Sequence, residues 1–431
     1  MSVSAFIQLQ ITQIQQGGNA VLLRKMKRAF QIPLKLPLFI IAIPTVLAIR
    51  LIRPWLLVRW GYLISQRIGH FAANTELYLC EREAGMNVPK QHHVDIFYMR
   101  GQICNQQLAN MWKRVLLIWP AWILAPISRV NQLIPGGSIH KIGDNAQGDR
   151  DVHNLLDKQE QHLFFTEEEE IQGKATLIQM GITFQDKFVC LIVRDSLYIS
   201  KEYAGSSWDS GYHSYRDTDI DNYQLAAETL AKLGYFVFRM GYHVKKPFRS
   251  NHPKVIDYAT NGMRTDFMDI YLGANCAFCI SVGTGFDAVP VIFRRSIIYV
   301  NMVPLGCLCT YIKQAISITK HHYLVQESRE LTLAEIFAYG VGFSMGTSDY
   351  TSKGVELIEN TPEEILDVVV EMADRMNGTW QTRDEDEAMQ KRFWAIFPTD
   401  AVEVTNGQPL HGEIRARFGA KFLRNNREWL K

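Results

Sequence analysis

Short apolar runs that alternate with helical stretches most constrain the fold of this chain. They read "DKFVCLIVRD" (186–195), "YFVFRM" (235–240), "CAFCIS" (276–281) and "SIIYVN" (296–301). The stretches before the second and third runs carry apolar residues at helical spacing. Uninterrupted apolar strands that alternate with helices are typical of a parallel, doubly wound sheet, which binds ligands at the carboxyl ends of its strands.

The first half of the chain shows the same alternation. Residues 60–83 combine a short strand, a turn at Gly69 and a helix, and "VDIFYMR" (94–100) is a strand with a helix after it. A second α/β layer is therefore predicted, and a chain of 431 residues is long enough for two domains.

A further helix is predicted between these two layers. It should begin after Thr166, because Glu169 stands in the capping-box position, and end at Gly181. The four glutamates at 167–170 are assigned to the electrostatics of the helix N-terminus and not to catalysis.

The predicted division of the chain has four parts. They are a basic hydrophobic segment (1–58), an N-terminal Rossmann-like domain (59–185), a C-terminal Rossmann-like domain (186–375) and a helical tail (376–431). The end of the tail has the pattern of an amphipathic basic helix, and the tail is expected to pack back on the N-terminal domain.

The beginning of the chain has the composition of a membrane-contacting segment. Its first 75 residues contain no Asp or Glu and nine Lys or Arg, whereas acidic residues outnumber basic ones in the remainder. The apolar run at 36–49 is shorter than the roughly 20 residues of a membrane span, and Pro37 and Pro44 should disrupt a straight helix. An interfacial or re-entrant anchor is expected, with Trp55 and Trp60 at headgroup level. A buried helical hairpin is the alternative.

A second stretch, "KRVLLIWPAWILAPISR" (113–129), again combines tryptophans and aliphatic residues with flanking basic residues. The two stretches together predict a cytoplasmic protein that is peripherally associated with the inner face of the cell membrane.

The seven cysteines lie mostly in apolar surroundings, which is typical of reduced thiols in the cytosol. A zinc site built from the pairs 276/279 and 307/309 is the weaker alternative. Cys276 and Cys279 flank "AF" on a predicted strand and should point to opposite faces. No metal site is therefore predicted.

Polar side chains follow the predicted strands where those strands end. Arg194 and Asp195 close the first run, Tyr215 and Arg216 precede the next helix, and Arg239 ends the second run. A buried arginine is costly unless it meets an anion, and a phosphate is the natural one. An internal pairing of Arg194 with Asp195 is the alternative.

The third run continues into a turn of small and hydrogen-bonding residues. Glycine at 283 and 285 permits positive φ and close backbone approach, while hydroxyls and free amides suit an anion. The turn residues assigned to the donor site are Ser281, Gly283, Thr284, Gly285 and Asp287, the last of which should hold the loop or a sugar hydroxyl.

These stretches resemble a bacterial family of glycosyltransferases encoded with surface-polysaccharide genes. The resemblance rests on "FVCLIVRDSLYI", "HSYRDTDIDNYQLAAETLAKLGYFVFRMG" and "DIYLGANCAFCISVGTGFDAVPVIF", together with "RIGHFAANTELYL" and "FLRNNREWL", and spans residues 60 to 431. It implies the GT-B fold, in which two Rossmann-like domains face a cleft. That family is remotely similar to the fucosyltransferases of nodulation factors and N-glycan cores.

Those fucosyltransferases bind the donor diphosphate through a His-x-Arg motif. Here Ile192 stands at the histidine position and Arg194 is kept. The resemblance therefore implies a nucleotide-diphosphate-sugar donor without specifying GDP-fucose.

The resemblance also implies transfer without a metal or other cofactor, with Arg194 and the turn amides neutralising the leaving diphosphate. The acceptor is expected near Gly69 and Asn74. A general base is needed beside the acceptor hydroxyl, and His70 is the first candidate and Glu76 the second. An equally open alternative is that His70 caps or orients its loop.

The function predicted from the sequence is sugar transfer from a nucleotide sugar to a lipid-linked or growing surface glycan, with no nucleic-acid partner. One alternative is a nucleotide-sugar epimerase of the same fold, which would leave the basic apolar segment unexplained. Another is a membrane-bound protein that binds nucleotides or glycans without catalysis.

Overall fold

The computed structural model describes residue 26 and residues 37–143, 150–202, 213–403 and 407–431. The largest element is a seven-stranded, wholly parallel sheet. Its strands are β3 (Phe188–Ile192), β4 (Phe236–Met240), β5 (Val255–Ile256), β6 (Phe278–Ser281), β7 (Ser296–Tyr299), β8 (Ala315–Ser317) and β12 (Arg417–Phe418). The expected parallel sheet is confirmed.

The strand order of this sheet is β12-β8-β7-β6-β3-β4-β5. The chain thus moves outwards from β3 in one direction through β4 and β5, and then returns to build β6, β7 and β8 on the other side. This order creates a topological switch point between β3 and β6, where ligands bind in doubly wound sheets.

Helices cover both faces of the seven-stranded sheet. Right-handed crossovers place α7 (Gln224–Lys232) and α9 (Ala288–Ile292) on opposite faces. The first packs with α12 (Pro362–Asn377), and the second packs with α8 (Asp266–Asn275). A small antiparallel sheet is formed by β9 (His321–Leu324), β10 (Arg329–Glu330) and β11 (Val355–Ile358). Further short helices of this half are α6 (Leu197–Glu202), α10 (Leu333–Ala338) and α11 (Thr347–Thr351).

The N-terminal sheet is smaller than predicted. It consists of β1 (Leu57–Leu63) and β2 (His93–Met99), which pair in parallel, with single bridges from Trp60 to Lys141 and from Phe97 to Ile118. Within the described residues this half of the chain is thus not a full Rossmann-like domain.

The N-terminal sheet lies between two pairs of helices. One face packs on α1 (37–51) and α4 (Ala121–Leu133), and the other packs on α2 (Ile68–Glu83) and α3 (Gln106–Val115). Helix α2 begins at Ile68, so Gly69 lies in its first turn and not in the separate turn predicted there.

The two halves of the chain share a hydrophobic core through helices. Buried residues of α2 and α3 form one cluster with buried residues of α8 and α9. Small residues, including Ala72, Ala73 and Ala288, allow this close approach. The predicted domain boundary near residue 185 therefore does not separate two independent hydrophobic cores.

Helix α5 (Glu167–Gln179) has the predicted ends. Thr166 and Glu169 form a capping box, and Gly181 follows the helix with φ +81°. Tyr271 of α8 lies against Gly173, so α5 packs on the C-terminal half although it precedes the predicted boundary.

The C-terminal tail packs on the C-terminal sheet, contrary to the prediction. Strand β12 pairs with β8, and α13 (Asp384–Ile396) and α14 (Ala420–Asn425) pack on each other next to α12. The apolar side chains of the predicted basic helix, Phe422, Leu423 and Trp429, pack into the hydrophobic core of the seven-stranded sheet. Contacts with the preceding half are made through the segment near Arg150, whose guanidinium donates to the carbonyl of Leu410.

Residues 1–25 and 27–36 of the predicted membrane segment lie outside the described residues. Residues 37–51 form one continuous helix, so Pro44 does not interrupt it. Among the helices that the structure describes, none has the length and apolarity needed to cross a membrane.

Candidate active site

Arg194 follows β3 at the switch point, where the sheet topology exposes the carboxyl ends of β3 and β6. Its Nε donates to Asp217 Oδ1 at 3.3 Å. Burial lowers the pKa of Arg194, and the charge of Arg216 lowers it further. Burial also raises the pKa of Asp217 in spite of its arginine partner. An anionic ligand would relieve the repulsion between the two arginines.

Arg216 connects this cluster to the turn after β6. One of its terminal nitrogens donates to the carbonyl oxygen of Gly283. Its Nε is buried and has no hydrogen-bond partner among the described residues, and the same is true of Thr284 Oγ1.

Arg67, which was not among the residues predicted for the site, lies close enough to His213 to influence it together with Arg194 and Arg216. The pKa of His213 is lowered first by burial and then by the charges of Arg194, Arg216 and Arg67. Arg67 is the N-cap residue of α2, where a cation opposes the helix dipole. That unfavourable placement was the available sequence signal, and it means that both halves of the chain contribute positive charge.

The turn after β6 is organised by Ser281. Its hydroxyl donates to Asp287 Oδ2 at 3.0 Å and accepts from the amides of Gly283 and Thr284 at 3.1 and 3.4 Å. Gly283 has φ +73°, and a Cβ there would lie 2.8 Å from Met302 Sδ. The two amides are thus engaged within the turn, and Asp287 holds the loop as expected.

The turn is also in backbone contact with helix α2. A Cβ built on Gly69 would lie 3.0 Å from Gly285 Cα and 3.2 Å from its carbonyl oxygen. A side chain at either glycine would push the helix and the turn apart. Gly69 was predicted for the acceptor site and Gly285 for the donor site. Their contact therefore brings the N-terminal and C-terminal halves of the chain together at the turn.

We expect Gly69→Ala to lower kcat/KM about tenfold, because the added methyl displaces the turn from α2 by a fraction of an ångström. The free energy of unfolding should change little, since the gain in helix propensity of roughly 0.5–1 kcal/mol opposes the clash. Steady-state kinetics and urea unfolding check this. Gly143→Ala is the matched control, because a Cβ there meets no atom of the described residues within 4 Å. Equal kcat/KM in both variants would contradict the positioning role of the contact.

The remaining residues predicted for the donor site are engaged in the protein itself. Asp195 accepts from the amides of Leu197 and Lys245. Tyr215 is buried beside Tyr350. Arg239 is 1% exposed inside β4, with its guanidinium 3.2 Å from Asp257 Oδ1. We therefore leave Arg239 out of the donor site.

His70 follows Gly69 and so lies one residue from the contact between α2 and the donor turn. Its Nδ1 is 3.3 Å from Asn74 Oδ1, one helical turn further on. When Nδ1 donates its proton to that amide oxygen, Nε2 carries the lone pair that a general base requires.

Glu76 has surroundings that do not suit a general base. It is buried, and its Oε1 accepts from Arg294 at 2.7 Å and lies 3.1 Å from His162 Nδ1. Burial alone would lower the pKa of His162, but its contacts with Glu76 and Glu83 raise it. The ligand atoms of Glu76, Cys80 and His162 lie close enough to one another to bind a metal ion. The Glu76 carboxylate, however, already forms an ion pair with Arg294. We assign this group to structure.

Comparisons with known proteins give only remote structural similarity. No protein-family model and no curated protein matches the chain. A family 9 glycosyltransferase from Veillonella parvula is 12% identical over 62% of this chain and 86% of its own, with TM-score 0.37. The E. coli ADP-heptose heptosyltransferase II is 11% identical over 61% and 90%, with TM-score 0.36. The iron-containing dodecameric glycosyltransferase TibC of E. coli is 12% identical over 58% and 59%, with TM-score 0.29. Scores this low carry no argument about this chain.

Proposed function

We propose that this protein is a glycosyltransferase that moves a sugar from a nucleotide-diphosphate sugar to a lipid-linked or growing surface glycan. The observation that carries the proposal is the meeting of Arg194, Arg216 and the N-terminus of α2 at the switch point of a doubly wound sheet. Arg194 pairs with Asp217, Arg216 donates to the Gly283 carbonyl in the turn after β6, and α2, whose N-cap is Arg67, contacts that turn at Gly285. Such a site suits a diphosphate, because two linked phosphates need several cationic donors at close quarters.

The chemical role of this cluster is to stabilise the leaving group. When the bond between the anomeric carbon and the diphosphate breaks, negative charge grows on the departing oxygen. Fixed guanidinium groups stabilise that charge in place, and Arg216 Nε and Thr284 Oγ1 add two polar atoms without a hydrogen-bond partner among the described residues. The proposal therefore assigns charge neutralisation to arginines, with no metal or cofactor.

We propose His70 as the general base that removes the proton from the acceptor hydroxyl. Its hydrogen-bond geometry with Asn74 and its place beside the contact between Gly69 and Gly285 support this role. Asn74 then acts by orienting the imidazole, and acceptors are expected along the first turns of α2. We further propose that the protein works at the cytoplasmic face of the cell membrane, where lipid-linked acceptors are found.

The proposal is tested by incubating the full chain with a panel of UDP-, GDP-, ADP-, CMP- and dTDP-sugars, with and without a bacterial lipid extract, in the presence of EDTA. Release of the nucleoside phosphate and mass-spectrometric detection of glycosylated lipid are measured. We expect release with one donor and more release when the extract is present. Failure of every donor under both conditions would refute the proposal.

A further inference from the structure

Two helices that are far apart in sequence form one exposed apolar face. Helices α1 and α4 both pack on the side of the β1–β2 sheet that faces away from α2. Arg50 joins the two helices, because it donates to Asn131 Oδ1 and to the carbonyls of Ile134 and Pro135. Their buried sides meet around Val46 and Ile127.

The outward sides of these helices are unusually apolar. Leu51 is 75% exposed, Trp55 74%, Trp122 63% and Leu133 83%. Exposed apolar side chains nearby are Ile40, Ile41, Ile43, Leu47, Leu117 and Trp119. We call this surface of α1, α4 and their flanks the α1/α4 face. A concentration of exposed large apolar side chains on two neighbouring helices is typical of an interaction site.

The charges around the α1/α4 face have a single sign. Residues 1–75 and 96–143 contain no Asp or Glu, while Arg53, which follows α1, and Arg129, which lies on α4, are exposed. A second copy of this chain would bring these cations towards each other, which disfavours self-association. An anionic lipid surface complements both the charge and the exposed tryptophans, which prefer the headgroup region.

We propose that the α1/α4 face docks on the anionic leaflet of a lipid bilayer, with Leu51, Trp55, Trp122 and Leu133 entering the headgroup and upper acyl region. Helices α1 and α4 lie flat against the N-terminal sheet, so the face inserts shallowly and in one leaflet. This binding is independent of the proposed sugar transfer and concerns the lipid surface alone.

The test is flotation of the full chain with phosphatidylglycerol/phosphatidylethanolamine vesicles and with phosphatidylcholine vesicles. We expect binding to the anionic vesicles that weakens with salt, and much weaker binding to phosphatidylcholine. The double variant Leu51→Asp/Trp122→Asp should bind about a hundredfold more weakly, since each exposed side chain contributes about tenfold.

The matched control is Ile178→Asp/Phe184→Asp, which changes two equally exposed apolar residues on and after α5. These residues belong to another surface, so vesicle binding should be unchanged. Equal binding by the wild type and the α1/α4 variant would overturn the proposal. The proposal would also be overturned if the wild type bound neither vesicle type. Self-association through this face without vesicle binding would overturn it as well.

Discussion

Replacement of Arg194 by alanine is expected to cause the largest loss of activity. Arg194 lies at the switch point with Arg216 nearby, and we assign it to the donor diphosphate. A charged hydrogen bond contributes about 1.5–3 kcal/mol, so the Kd of the nucleotide should rise at least about tenfold. Because charge grows on the diphosphate during transfer, kcat/KM should fall about a thousandfold. Calorimetry and steady-state kinetics measure the two effects.

The control for this substitution is Arg392→Ala, which removes an exposed arginine from α13. Both quantities should then remain at the wild-type value. A circular-dichroism spectrum like that of the wild type would show that Arg194→Ala is folded. Unchanged nucleotide affinity in the folded Arg194→Ala protein would refute the assignment of this arginine to the diphosphate.

The largest loss of stability is expected for Glu76→Gln. The Glu76 carboxylate is buried between Arg294 and His162, at 2.7 and 3.1 Å. Removing its charge takes the buried anionic partner away from Arg294 and His162, which are 22% and 10% exposed, and this should lower the free energy of unfolding by about 3 kcal/mol. Urea unfolding measures this change, while kcat per folded molecule should stay near the wild-type value.

Glu83→Gln provides a matched comparison, because Glu83 contacts the other ring nitrogen of the same histidine at 3.0 Å and is half exposed. An exposed ion pair contributes less than about 1 kcal/mol, so the free energy of unfolding of this variant should be close to that of the wild type. If Glu76→Gln kept its stability and lost kcat instead, Glu76 would be a catalytic residue and our structural assignment would be wrong.

Local sequence signals were sufficient for much of the C-terminal half. The apolar run before Arg194 and the capping box of Thr166 with Glu169 each depend on neighbours in the sequence, and the structure confirms both elements. The alternation of apolar runs and helical stretches was enough to place Arg194 and the turn at 281–285 at the ends of strands. Because β3 and β6 pair in parallel, both of these strand ends lie at the same edge of the sheet.

Features that depend on distant contacts were not predictable in the same way. Arg67 is separated from Arg194 by most of the N-terminal half. Its unfavourable place at the start of a helix marks it as unusual, but does not show that the two arginines share a site. The small side chains of α2 and its Gly69 let the helix approach the C-terminal half, and the resulting shared core was not predictable from either half alone. Arg239 ends an apolar run, but its pairing with Asp257 depends on the following loop.

The most direct test of our account is calorimetric titration of the wild-type chain with UDP, GDP, ADP and dTDP in EDTA. Our account predicts that at least one nucleoside diphosphate binds with a Kd below about 1 mM, and more weakly at high salt because the site is built from arginines. Arg67→Ala should weaken that binding, since the site draws on both halves of the chain. If no nucleoside diphosphate bound the wild-type chain, the arginine cluster would not be a donor site.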